Sequence, residues 1–118
     1  MIKKLVLLGF LSCNVLVFSQ LELLTPKEQA YKDSITKLNQ QNSAIANSQT
    51  AYNEGIEYFK QKNYRAALNS FQKSVQSDAN FTAAYYNIGL TENELENFKE
   101  ALSTLNTLIT KDPTYSKA

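Results

Sequence analysis

The chain has no histidine, one cysteine, two prolines and three glycines among its 118 residues. Each scarcity excludes a class of chemistry. Without histidine there is no histidine-dependent catalytic triad and no zinc centre of the usual Cys/His kind. One cysteine makes no disulfide framework, and so few glycines make no phosphate-cradling loop. A formal net charge of +1 leaves no electrostatic footprint for nucleic acid. No enzyme activity, cofactor, metal ion or nucleic-acid partner is therefore expected. What is present, 43 % hydrophobic and 19 % charged residues, suits one modest ordered domain.

The first residues form a processing segment rather than part of the fold. Met1-Ile2-Lys3-Lys4 supplies a short cationic start, residues 5–18 are mostly apolar, and Val17-Phe18-Ser19 precedes a cleavage point. Residues 1–19 thus read as a secretory signal peptide of an exported, periplasmic or secreted protein. The run is shorter than the roughly 20 residues that span a bilayer, and Ser12, Cys13 and Asn14 interrupt it. An uncleaved anchor is one alternative. Another is lipidation at Cys13, since Phe10-Leu11-Ser12-Cys13 loosely resembles the bacterial lipobox. Cleavage after Ser19 removes Lys3, Lys4 and the single cysteine, so stability must come from packed helices or partners.

Internal repetition points to the fold. Gly55 and Gly89 stand 34 residues apart, and the same shift aligns Tyr52 with Tyr86, Asn53 with Asn87, Asn63 with Asn97, Ala67 with Ala101, Leu68 with Leu102 and Asp78 with Asp112. Tyr64 meets Phe98, Phe81 meets Tyr115, and Val75 meets Ile109. In the copy 48–81 the marked positions are Ala51, Glu54, Gly55, Tyr58, Ala67, Phe71 and Ala79; in the copy 82–115 they are Tyr85, Ile88, Gly89, Glu92, Ala101, Leu105 and Pro113. Period and residues together resemble the tetratricopeptide repeat (TPR), with Ala51, Glu54, Ala79 and Glu92 as departures. The repeat-defining positions are Gly55, Tyr58, Ala67, Phe71, Tyr85, Gly89, Ala101, Leu105 and Pro113.

The spacing of apolar residues agrees with helical hairpins. Tyr52, Ile56 and Phe59, then Ala67, Leu68, Phe71 and Val75, recur at three and four; Tyr85 and Ile88, then Ala101, Leu102, Leu105, Leu108 and Ile109, do so in the second copy. Turns are expected near Lys62-Asn63 and Glu96-Asn97. A mid-helix glycine costs roughly 1 kcal/mol against alanine, so Gly55 and Gly89 imply close helix approach, opposite Ala67 or Ala101. Asp112-Pro113 ends the last helix. The expected architecture is all-α: TPR-like helix-turn-helix repeats, an α-solenoid fragment, preceded by an amphipathic helix and the signal peptide.

That preceding segment, residues 20–47, begins with Thr25-Pro26-Lys27-Glu28, a capping box with proline at the first helical position. Tyr31, Ile35, Leu38 and Ile45 follow at heptad-like spacing, with Asn42 where another apolar residue would fall. Three readings fit: a lid on the first repeat, a short coiled coil that oligomerises, or a solvated stalk. The polar run Asn39-Gln40-Gln41-Asn42-Ser43 is either a joint or the middle of one long helix over 26–61. Residues 116–118 read as the start of a third repeat, missing or truncated, which leaves part of Leu102, Leu105, Leu108 and Ile109 exposed or covered by a second copy or another partner.

The charged clusters carry little chemistry. Glu92, Glu96 and Glu100, with Glu94, form an acidic helix stripe expected to be a solvated face, and Lys60, Lys62 and Arg65 form a basic spot at the first turn. Asn80-Phe81-Thr82 has the form of a glycosylation acceptor, but Phe81 has the look of a packing residue. The resemblance implies protein or peptide binding in a concave groove, whose matching positions are Gln49, Tyr52, Ile56, Phe59, Lys60, Ala83, Tyr86, Leu90, Asn93 and Glu94. This lining is aromatic and aliphatic, suited to an apolar helix or extended segment. A structural subunit that self-associates through the N-terminal helix or the open C-terminal face is the alternative.

Overall fold

A computed structural model describes residues 24–117. The signal peptide expected over residues 1–19, Cys13 with its alternative lipidation, residues 20–23 and Ala118 lie outside the described residues. The described chain comprises four α-helices and a short 3-10 helix: α1 over Pro26–Lys60, α2 over Tyr64–Ser77, α3 over Thr82–Glu94, α4 over Phe98–Lys111, and the 3-10 turn Pro113–Lys117. The chain divides into two units between Asn39 and Gln40, inside α1.

The capping box forms as the sequence predicts. The Glu28 carboxylate accepts from both the Thr25 N–H and the Thr25 hydroxyl at 2.9 Å, and the Thr25 hydroxyl accepts from the Glu28 N–H at 3.3 Å. The Thr25 backbone bond, then its hydroxyl bond, hold the Glu28 carboxyl below its usual range. From there α1 continues without a break through Asn39-Gln40-Gln41-Asn42-Ser43 to Lys60. The polar run is thus the middle of one helix, because straight-chain glutamines and the absence of glycine or proline from Lys27 to Glu54 keep the helical path open. Tyr31, Ile35, Leu38 and Ile45 are all exposed.

In the unit 40–118 the core is small. Ala67, Phe71 and Ile88 form its buried centre, with Tyr52, Ile56, Phe59, Leu68 and Val75 packed half-buried around it. A buried hydrogen bond of 2.9 Å joins the Ser48 and Ser74 hydroxyls, satisfying both where an unpaired hydroxyl would be costly. The two glycines do permit close helix approach, and the nearest groups opposite them are large side chains. A Cβ on Gly55 would lie 2.5 Å from the Phe71 ring, and one on Gly89 2.7 Å from Leu105 Cδ2. The large residue one turn beyond each alanine fills the gap, because a bulky group nests where the facing helix has no side chain.

Both hairpin turns fall where expected and share one geometry. Asn63 N–H reaches Tyr58 O at 2.9 Å and Lys62 N–H reaches Phe59 O at 2.9 Å; Asn97 N–H reaches Glu92 O at 2.8 Å and Glu96 N–H reaches Asn93 O at 3.0 Å. This is the Schellman closure of a helix C-terminus, with Lys62 (φ 59°) and Glu96 (φ 62°) in the left-handed position usually taken by glycine. The connections after α2 and α4 also match: Asp78 and Asp112 carboxylates accept from the backbone N–H of Asn80 and Thr114, each at 3.0 Å.

Of the repeat-defining residues, Gly55, Ala67, Phe71, Gly89 and Ala101 are buried, Tyr85 and Leu105 half-buried, and Tyr58 and Pro113 exposed. Phe59, not Tyr58, closes the first turn, its ring meeting Tyr64 edge-on at 5.2 Å. On α4, Leu108 is buried whereas Phe98, Leu102 and Ile109 are exposed. Among the described residues, no helix is long and apolar enough to cross a membrane.

Candidate partner-binding surface

The expected groove positions divide into two groups. Gln49, Lys60, Asn93 and Glu94 are exposed, as are Tyr86 at 44 % and Leu90 at 37 %, while Ala83 is half-buried. Tyr52, Ile56 and Phe59 instead pack on the core around Phe71. The helical register explains the split: these three share a face of α1 with buried Gly55 and Ser48, and they pack inward on the core around Phe71.

Tyr52 does more than fill space. Its ring lies 5.7 Å from Phe71 and 4.9 Å from Phe81, tilted against each. Its hydroxyl accepts from Asn87 Nδ2 at 2.9 Å, and the same amide donates to Ala83 O at 3.1 Å. The residue therefore ties α1 of the first repeat to α3 of the second, with both ends of an amphipathic side chain occupied.

The same pattern recurs one period later, with no further α-helix seated on it among the described residues. Tyr86, the counterpart of Tyr52, has its ring 6.1 Å from Tyr115, the counterpart of Phe81. Leu105 beneath them fills the place over Gly89 that Phe71 fills over Gly55. Tyr86, Leu105, Leu108, Ile109 and Tyr115 together line a cleft of about 310 Å³. Leu105, Ile109 and Tyr115 were not among the groove positions, because those came only from the first helix of each repeat. The 34-residue match of Tyr115 to Phe81 was the signal that would have found them. In physical terms, the second repeat presents as open surface what the first uses to seat α3.

The charged groups around this surface are mostly solvated. Glu94, Glu96 and Glu100 are exposed, but Glu92 is not part of a solvated stripe: it is buried at 7 % exposure. The Thr104 hydroxyl donates to its Oε2 at 2.8 Å across the α3–α4 interface, which is why the carboxylate tolerates the interior. Burial first, and nearby Glu100 in addition, push its carboxyl above the usual range against that hydrogen bond. At the same end of α3, partial burial first and the adjacent Glu94 carboxylate second raise the Tyr64 phenol. Lys60 pairs with Glu57 at 2.9 Å in full exposure, a contact worth little to stability. Lys111 sits 5.4 Å above the Tyr85 ring. Among the described residues, no cluster of three or more acidic, histidine or cysteine side chains is arranged to hold a metal ion.

Comparison with curated proteins returned no match. The family model described as tetratricopeptide repeat matches residues 48–81 and again residues 82–115, more than half of the chain. With two hairpins closed by the same turn, two glycines seating equivalent large residues and two matches in tandem, the chain belongs to the tetratricopeptide repeat family.

Proposed function

We propose that this chain is a non-catalytic protein-interaction module of the bacterial envelope, exported by its N-terminal signal peptide and gripping an apolar helix or extended peptide on the open face of its second repeat. Tetratricopeptide repeats mediate protein–protein interaction and are typically scaffolds without catalysis. The observation that carries the finer reading is the cleft beside Tyr86, apolar and half-open, flanked by exposed Leu90 and Ile109. An incoming helix there would bury aromatic and aliphatic area, the dominant source of affinity at such surfaces. Gln49, Asn93 and Glu94, the polar groove positions, are exposed. Export, with release into the periplasm or medium after cleavage, rests on the sequence pattern of residues 1–19; lipid attachment at Cys13 or retention by an uncleaved helix are the alternatives.

The test is capture of an envelope partner by the purified chain. Tyr86→Ala is expected to weaken capture about tenfold or more, the loss of a central aromatic anchor, with the helical circular dichroism unchanged. Undiminished capture would remove Tyr86 from the surface. A second reading, self-association of the chain, is favoured by the exposure of Tyr31, Ile35, Leu38 and Ile45 along one helix.

A further inference from the structure

We infer that the N-terminal half of α1 is one strand of a parallel, two-stranded coiled coil with a second copy of this chain, with Asn42 of the two copies paired within the seam; the inference rests on the self-association reading and specifies its geometry. Tyr31, Ile35, Leu38, Asn42 and Ile45 alternate strictly by four, three, four and three along a continuous helix, and all five are exposed. Such spacing is the seam of a coiled coil, with Ile35 and Asn42 at the first core position of the heptad and Tyr31, Leu38 and Ile45 at the second.

The width of the stripe identifies the occupant as a single helix. A helix that packs on a globular core carries a broad apolar face, whereas the residues beside this seam are polar: Lys32, Ser34, Asn39 and Gln41. Ile35 followed by Leu38 puts a β-branched residue at the first core position and leucine at the second, the order that favours two strands. Asn42 narrows the choice further. Against an aliphatic partner its amide would be buried unsatisfied, while an identical helix in parallel register offers a matching amide as both donor and acceptor. A two-fold pair of copies satisfies this by symmetry.

The seam also has definite ends. It starts at the Thr25–Glu28 capping box and stops before Ser48, whose hydroxyl is already committed to Ser74. Lys27 and Lys32 flank its first turns as like charges, but both are exposed and screened at physiological ionic strength.

The test is sedimentation equilibrium of the chain, expressed from its full sequence and purified, from micromolar to hundred-micromolar concentration. The expected mass is twice that of one chain at the upper end, and Ile35→Lys with Leu38→Lys together should return it to that of one chain. Thermal melting of the repeats, followed by circular dichroism, should be the same in both. In a Cys13→Ser background, Leu38→Cys should cross-link copies nearly completely under mild oxidation and Lys37→Cys, off the seam, should not. Asn42→Leu, which puts a better helix former at the same place, should tighten association and admit masses above two chains. A single-chain mass throughout would overturn self-association altogether. A pair that survives the lysine substitutions, cross-links equally at both positions or ignores Asn42→Leu would leave self-association standing and overturn this seam.

Discussion

Gly55 and Gly89 occupy matching places, yet replacing them has unequal consequences. A methyl group on Gly55 meets a Phe71 ring that is completely buried and has nowhere to go, while one on Gly89 meets Leu105, half-buried beside an open cleft and free to turn. Overpacking costs about 1–3 kcal/mol, against a gain of roughly 1 kcal/mol in helix propensity. Gly55→Ala is therefore expected to lower the melting temperature by several degrees and Gly89→Ala to change it little; equal losses in thermal melts would show that Leu105 is as confined as Phe71. Glu92 behaves differently because it titrates. Its carboxyl is raised in the folded state, so folding is favoured at low pH and loses stability as pH rises from the ordinary carboxylate value through the raised one. Glu92→Gln keeps an acceptor for the Thr104 hydroxyl and removes the buried charge. It should raise the melting temperature at neutral pH, and the gain should fade toward about pH 3. A gain independent of pH would locate the effect outside the charge. The sequence pattern placed Glu92, Glu96 and Glu100 on one stripe because they are four residues apart, but α3 ends at Glu94, so Glu96 falls in the turn and Glu100 on α4, while Glu92 alone is buried between the two helices.

Between elements, the coupling of the repeats runs through one aromatic residue. Tyr52 stacks on Phe71 and Phe81 and takes a hydrogen bond from Asn87, so it joins α1, α2 and α3 at once. Tyr52→Phe removes the hydroxyl alone and should cost about 0.5–1.5 kcal/mol, the net worth of one hydrogen bond. Asn87→Ala costs more, because the amide also caps Ala83 O. Combined in one chain, the two substitutions should cost measurably less than their sum in urea unfolding, since each removes the same bond; additive losses would mean that the hydroxyl and the amide act independently. The repeat register was legible from Tyr52, Gly55 and their counterparts alone, and so were the capping box and both turns, because each depends on neighbours within a few residues. The role of Tyr52 was not legible. A tyrosine at a groove position and a tyrosine pinned between helices have the same spacing, and only the placement of Phe81 and Asn87 decides between them.

In the molecule as a whole, one small core around Phe71 serves the first repeat and reaches the second through Ile88, while the second repeat keeps its equivalent surface open at Tyr86. Quasi-equivalent residues thus do structural work in one copy and, among the described residues, stand uncovered in the other. The exposed residues of α1 belong to the same logic: a heptad seam is an instruction for one partner helix, written in a stripe too narrow for a core. The sequence by itself determined the helical class, the 34-residue period, the turns at Lys62 and Glu96 and the start of α1, because periodicity, capping chemistry and chain-terminating residues act locally. Three-dimensional packing decided that Phe71 and Leu105 lie closest over the glycines, that Glu92 is buried, and that Tyr86 rather than Tyr52 is offered to solvent. Each of those outcomes depends on which distant side chain arrives opposite a given position, a matter of three-dimensional packing that spacing along the chain does not encode.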